Sequence, residues 1–197
     1  METFRKQSYQ NQMHVLLVLS TYNTSAEIFI LKPLAPLVKA GKITLEKVLE
    51  NELSRAKLMG ADVVLYCRNN LPEARHWYEE IIALRIPIIY VLDDNFWALP
   101  YYLEDGTYYK TGGRLQQVEE YIRYADLVKV FSPALYRRVR QYTPNVICST
   151  PGMDFNLLPK ELPARKDEII RIAYVTARGP KDELVQLFEK DLLRLLR

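Results

Sequence analysis

The sequence predicts an α/β fold built on a parallel sheet with helices on both faces. Two observations carry this. Short apolar runs at residues 14–20 (HVLLVLS), 61–67 (ADVVLYC) and 86–92 (IPIIYVL) lack the polar alternation of a half-solvated strand, so they read as strands buried on both faces. Segments with helical apolar spacing lie between them, and strands alternating with helices at this interval imply right-handed crossovers.

The elements follow in order. Residues 14–20 form the first strand and end in a polar loop, TYNTS. Residues 26–40 have helical spacing, but Pro33 and Pro36 predict a kink or a break, and Gly41 ends the segment. The stretch KITLEK (42–47) is either a short strand or the lead into a helix over 45–59, which Gly60 stops. A strand at 61–67, a helix at 72–84 with Pro72 in its first turn and a strand at 86–92 come next. A long polar and aromatic loop runs from Asp93 to Gly113. A helix at 114–124, a strand at 126–131, a helix at 134–141 and a strand at 145–149 complete the pattern. Pro159, Pro163 and several charges mark 155–168 as a linker. One more strand (169–175) and an amphipathic helix (183–195) follow it. The chain thus reads as a polar lead (1–12), a Rossmann-like domain (13–154), the linker, and the first βα unit of a second domain (169–197).

Composition narrows the class. Of 197 residues, 49% are hydrophobic and 26% charged, as in soluble globular proteins. A net charge of +3 does not point to nucleic acid, though it is compatible with weak attraction to an anionic membrane surface. Cys67 and Cys148 both fall in runs that read as interior strands, which predicts free buried thiols in a reducing compartment. Neither belongs to a CxxC or Cys/His cluster, so no metal site is expected. The start, METFRKQSYQNQ, has no apolar region behind it, and the apolar runs are too short to span a bilayer. The expected location is the cytoplasm, with peripheral contact at the inner face of the membrane left open. The absence of a Ser-His-Asp order, a P-loop and a GxGxxG motif argues against hydrolase, NTPase and dehydrogenase readings.

Four segments in order resemble signatures of the GT4-type glycosyltransferases of the GT-B fold: ADVVLYCR (61–68), PIIYVLDDNFW (87–97), ADLVKVFSPAL (125–135) and PNVICSTPGMD (144–154). RIAYVTARGPKD (171–182) resembles the opening of that fold's second domain. The chain departs from the pattern in having TYNTS where many members carry a Gly-Gly loop, and Val91 where an earlier Asp often stands. The resemblance implies the N-terminal, acceptor-side half of a retaining, metal-independent enzyme that needs no cofactor. Such an enzyme moves a sugar from a nucleotide-sugar donor to a glycan or lipid-linked acceptor. Arg178 and Lys181 lie near the position where the family neutralises the donor diphosphate, and otherwise read as a solvated loop. The family's donor-sugar glutamates have no counterpart here, so the chain alone is expected to be inactive. The alternative is a non-catalytic glycan-binding domain, or a half-enzyme that docks to a separate donor-binding subunit.

Ligands of open parallel sheets bind at the carboxyl ends of the strands. That rule singles out Thr21 and Tyr22, Arg68 and Asn69, Asp93 and Asp94, and Ser132. Asp94 is the candidate catalytic group: a carboxylate there accepts a hydrogen bond from an acceptor hydroxyl or takes its proton. Asp93, Arg68, Asn69, Trp97 and Ser132 are candidate acceptor-binding residues. Each has a structural alternative: a turn cap for the aspartates, a salt bridge for Arg68, and pinning of the loop for Trp97 and its neighbouring tyrosines. Gly112 and Gly113 precede a helix, where exposed N–H groups suit an anion.

Overall fold

Every residue from Val15 to Leu19 is buried, because this strand has a sheet neighbour on each side and a helical layer on each face. It belongs to a Rossmann-like sheet in a computed structural model that describes residues 12–102, 104–150, 152 and 161. Nearly all of these lie in the first of two compact units, 1–154 and 155–197. The second domain expected at 169–197 lies outside the described residues.

Six strands, all parallel, stand in the order β2-β1-β3-β4-β5-β6. They are β1 (Met13–Leu19), β2 (Ile43–Leu49), β3 (Val63–Cys67), β4 (Ile88–Leu92), β5 (Leu127–Val130) and β6 (Val146–Cys148). Strand alternation sends Leu16 and Val18 to one face and Val15, Leu17 and Leu19 to the other. On the first face they meet Leu58 of α3 (Arg55–Met59), Tyr78 and Ile81 of α4 (Arg75–Ala83) and Tyr121 of α6 (Arg114–Tyr124). Leu135 and Val139 of α7 (Pro133–Val139) extend this core. On the second face they meet one helical segment made of α1 (Thr24–Ala26), a π-helical turn (Glu27–Leu31) and α2 (Lys32–Lys39). Each fully buried large side chain of this kind contributes about 1.5–3 kcal/mol of hydrophobic stabilisation.

Local chemistry sets the helix starts. Asn23, Ser54 and Ser132 each accept a backbone N–H of the first turn with their side chains, satisfying donors that a helix start leaves free. The disruption expected from Pro33 and Pro36 takes the form of the wide π-helical turn just before α2, in which both prolines lie.

Three expectations are corrected. Residues 45–49 are strand, and the following helix is confined to Arg55–Met59. β2 pairs with β1 over seven residues, and that ladder outweighs the helical propensity of its Leu, Glu and Lys. The 93–113 loop contains a helix, α5 (Glu104–Lys110), folded against the preceding chain. Cys148 is exposed, since β6 has a neighbour on one side only; both cysteines are free. No helix among the described residues is long and apolar enough to cross a membrane.

Gly106 of α5 lies hard against Pro100: a Cβ there would sit 1.8 Å from the Pro100 carbonyl oxygen. Gly106→Ala therefore has to displace backbone. It is expected to cost about 1–3 kcal/mol, read as a lower urea midpoint with an unchanged denaturant slope.

Candidate functional site

The chain leaves β1 towards the second face and β3 towards the first, so the loops diverge at the carboxyl ends of these neighbours. In parallel sheets such a reversal of strand order opens a ligand crevice. Residues after β1, β3 and β4 meet there.

The turn after β3 is built around a left-handed residue. Arg68 has φ 60°, a conformation that costs a side-chain-bearing residue roughly 1–2 kcal/mol. Arg85 shares it among the described non-glycine residues, where it closes α4: Ile86 N donates to Ile81 O, an ordinary helix stop. Around Arg68 the restraint is denser. Cys67 lies one residue past the β1 pairing, and its N–H donates to Asn69 Oδ1 at 2.8 Å. Arg68 N donates to Val91 O at 3.1 Å. Asn70 Nδ2 donates to Arg68 O and Tyr90 Oη to Asn69 O, both at 2.8 Å. Tyr108 Oη reaches Asn70 Oδ1 at 3.1 Å. Net worth is about 1 kcal/mol for each such bond, so together they exceed the strain.

The guanidinium is then aimed along the sheet edge. Its Nη1 donates to Ser25 Oγ and its Nη2 to Asp94 Oδ2, both at 2.9 Å, while Nε lies 3.5 Å from Asp93 Oδ1. Ser25 Oγ in turn donates to Asp93 Oδ2 at 2.6 Å. Phe96 lies under the cation at 5.2 Å and stacks on Tyr109 at 3.7 Å between ring centres. Burial pulls the Arg68 pKa down, but Tyr109, Asp93 and Asp94 outweigh it and hold the group above its ordinary value. The Asp93 side chain is 12% exposed and that of Asp94 40%. Asp93 is the internal counter-ion, and Asp94 presents its carboxyl to solvent. One cation faces two acids, so the cluster does not attract a further anion.

The other candidates lie as follows. Asn69 is fully buried and its side chain holds the turn. Ser132 caps α7 through Leu135 N. Trp97 donates to Glu119 Oε1 at 2.9 Å, stacks on Tyr142 and lies beneath Arg138; these contacts pin its loop to the α6–α7 side. Gly113 is left-handed ahead of α6, and the Arg114 guanidinium lies over Tyr108 at 4.4 Å from the ring centre. Thr21 and Tyr22 are exposed beside the crevice. Tyr101 and Tyr102 are exposed in the loop after β4. Burial pushes the Cys67 thiol up to about 12, which makes it unreactive. Among the described residues, no three or more His, Cys, Asp or Glu side chains gather to hold a metal. Arg178 and Lys181 lie outside the described residues.

Two participants are not apparent from the sequence. Ser25 is one of several hydroxyls in TYNTSAE, and only the helix start places it against Asp93. Glu50, one residue past β2, is 4% exposed. Among the described residues, neither of its carboxyl oxygens has a hydrogen-bond partner, nor do Tyr66 Oη, Asn69 Nδ2 and Tyr121 Oη near it. Burial pushes its pKa from 4.5 up to about 7; Asn69 opposes the shift and Glu73 adds to it.

In comparison with known proteins, no family model matches the chain, and no curated protein shows significant similarity to it.

Two expectations follow for stability. Arg68→Ala strands Asp93 and is expected to cost on the order of 3 kcal/mol. Adding Asp93→Asn should recover ~1 kcal/mol or more of that loss in a double-mutant cycle, and strict additivity would show the pair to be uncoupled. Glu50, with a raised pKa, keeps a proton in the folded state that the unfolded chain has lost. Its contribution is therefore full below about pH 4.5 and disappears as pH rises to about 7. The linked change is roughly 3 kcal/mol. Glu50→Gln should be the more stable protein at about pH 8 and should lack this slope, as measured by urea titrations across the range.

Proposed function

We propose that the Arg68 crevice binds a carbohydrate acceptor, and that the chain is the acceptor-side domain of a GT-B glycosyltransferase using a nucleotide-sugar donor. The observation that supports this most is the pairing of a half-exposed carboxyl, Asp94, with a guanidinium that is already neutralised. A phosphate brought here meets two acids. A sugar diol meets a carboxylate that accepts its O–H groups and a guanidinium edge that donates to its oxygens. Exposed Tyr22, Tyr101 and Tyr102 on the loops at this end of the sheet suit the apolar C–H faces of a pyranose. In transfer, Asp94 orients the acceptor hydroxyl and draws its proton as the new bond forms. Arg68 holds Asp94 in place, and Asp93 with Ser25 holds Arg68. The order of the sequence motifs is what extends the reading from carbohydrate binding to sugar transfer. A lipid-linked glycan satisfies the same contacts and brings the protein to the membrane surface.

The test is calorimetric and thermal titration of the full chain against free and lipid-linked oligosaccharides and against nucleotide sugars. Glycan acceptors are expected to raise the melting temperature by mass action. Asp94→Ala is expected to weaken that binding by about tenfold or more, the equivalent of ~1.4 kcal/mol. Binding of nucleotide sugar alone, indifferent to Asp94→Ala, would overturn the assignment.

A further inference from the structure

The least satisfied part of the described protein is the compartment behind the crevice. Five buried polar atoms there have no hydrogen-bond partner among the described residues: both carboxyl oxygens of Glu50, the hydroxyls of Tyr66 and Tyr121, and Asn69 Nδ2. The three other residues all lie within electrostatic reach of Glu50. Glu50, Tyr66, Asn69 and Tyr121 come from the end of β2, from β3, from the turn after β3 and from α6. Each of these residues is at most 4% exposed. The tyrosine rings are packed tightly, with Tyr121 stacked on Tyr78 at 4.2 Å and Tyr66 5.4 Å from Tyr121, so the hydroxyls are not free to turn away. The charged groups around the compartment are Glu73, which repels a carboxylate at Glu50, and Arg75 and Glu120, which act on Tyr121. Among these groups none is a cation positioned to neutralise Glu50.

Asn69 joins this compartment to the crevice. Its Oδ1 receives the Cys67 N–H and so holds the strand end that carries Arg68, while its Nδ2 lies beside Glu50 without completing a hydrogen bond. One amide group thus faces both sites. We propose that Glu50 is a proton-operated positioning residue for the crevice: in its neutral form the Arg68 turn is closed, and on ionisation the compartment hydrates past Asn69 and the turn loosens. A buried carboxylate without a cation has to gain hydrogen bonds from water or return its proton. The amide that acts on this carboxyl belongs to the Asn69 side chain, whose other end is the clasp on Cys67. Burial raises the Glu50 pKa to about 7, which puts the change near neutral pH.

This coupling concerns the crevice itself and needs no ligand, so its test is independent of the carbohydrate reading. Amide hydrogen exchange of Cys67 and Arg68 is measured on the full chain from about pH 5 to 9 and corrected for the intrinsic rate. Protection is expected to fall about tenfold through the Glu50 midpoint, and to stay level in Glu50→Gln. In the unmutated chain, the carbon resonance of the Glu50 carboxyl and the Nε–H resonance of Arg68 should share one midpoint. Level protection in the unmutated chain, the same fall in Glu50→Gln, or separate midpoints would each overturn the proposal.

Discussion

The reversal of strand order between β1 and β3 is the constraint on which the rest of the site depends. β1 is apolar and buried from Val15 to Leu19, so both of its faces need covering, and the chain covers them by sending the connection after β1 to one face and that after β3 to the other. Two hydrogen-bonded neighbours therefore part company at their carboxyl ends. Cys67 is the first residue to lose its β1 partner, and the Asn69 side chain takes the N–H that the sheet no longer accepts. The clasp and the left-handed Arg68 are consequences of that local deficit of backbone acceptors.

What sits in the opening is decided by charge balance. A guanidinium alone at this edge would draw any phosphate or carboxylate to it. Here Asp93 and Asp94 occupy its donor edges and Ser25 joins the arrangement. Electrostatic selection for anions is thereby removed, and selection by hydrogen-bond geometry remains. On the proposed carbohydrate reading, hydroxyl groups, which donate and accept, are what a carboxylate beside a guanidinium takes up. Neither group reaches this position by side-chain freedom: backbone conformation fixes Arg68, and Arg68 fixes Asp94.

Much of this was legible in the sequence. Strands buried on both faces have no polar alternation, so β1, β3 and β4 stand out as apolar runs, and their carboxyl ends point directly to Arg68, Asp93 and Asp94. β2 was ambiguous for the opposite reason. It lies at the end of the strand order and sets Glu46 and Lys47 side by side between apolar residues, a pattern that breaks strand alternation and also suits a helix. α5 was hidden because Gly106 and paired tyrosines weaken its helical signal, and only the fold-back onto Pro100 makes the glycine necessary. Trp97 shows where sequence stops: an aromatic in the right loop has several faces to choose from, and Glu119 and Tyr142 decide which. Ser25 and Glu50 depend on contacts between segments distant in sequence, which periodicity does not encode.

The two kinds of acid at this edge make a final point about how the site is held. Asp93 and Glu50 are both largely buried at the carboxyl ends of strands, yet one has a cation and a hydroxyl against it and the other has an amide, two phenols and another acid. The first arrangement ties the carboxylate to a cation and a hydroxyl and makes a rigid support, since removing either partner leaves a charge in a poor solvent. The second favours the neutral form and makes a support that depends on a proton. Arg68 rests on both, directly through its guanidinium and indirectly through the Asn69 clasp. The crevice thus has one wall set by permanent charge and one set by a group that titrates near neutrality, and it is the second wall that gives it a means of responding to its surroundings.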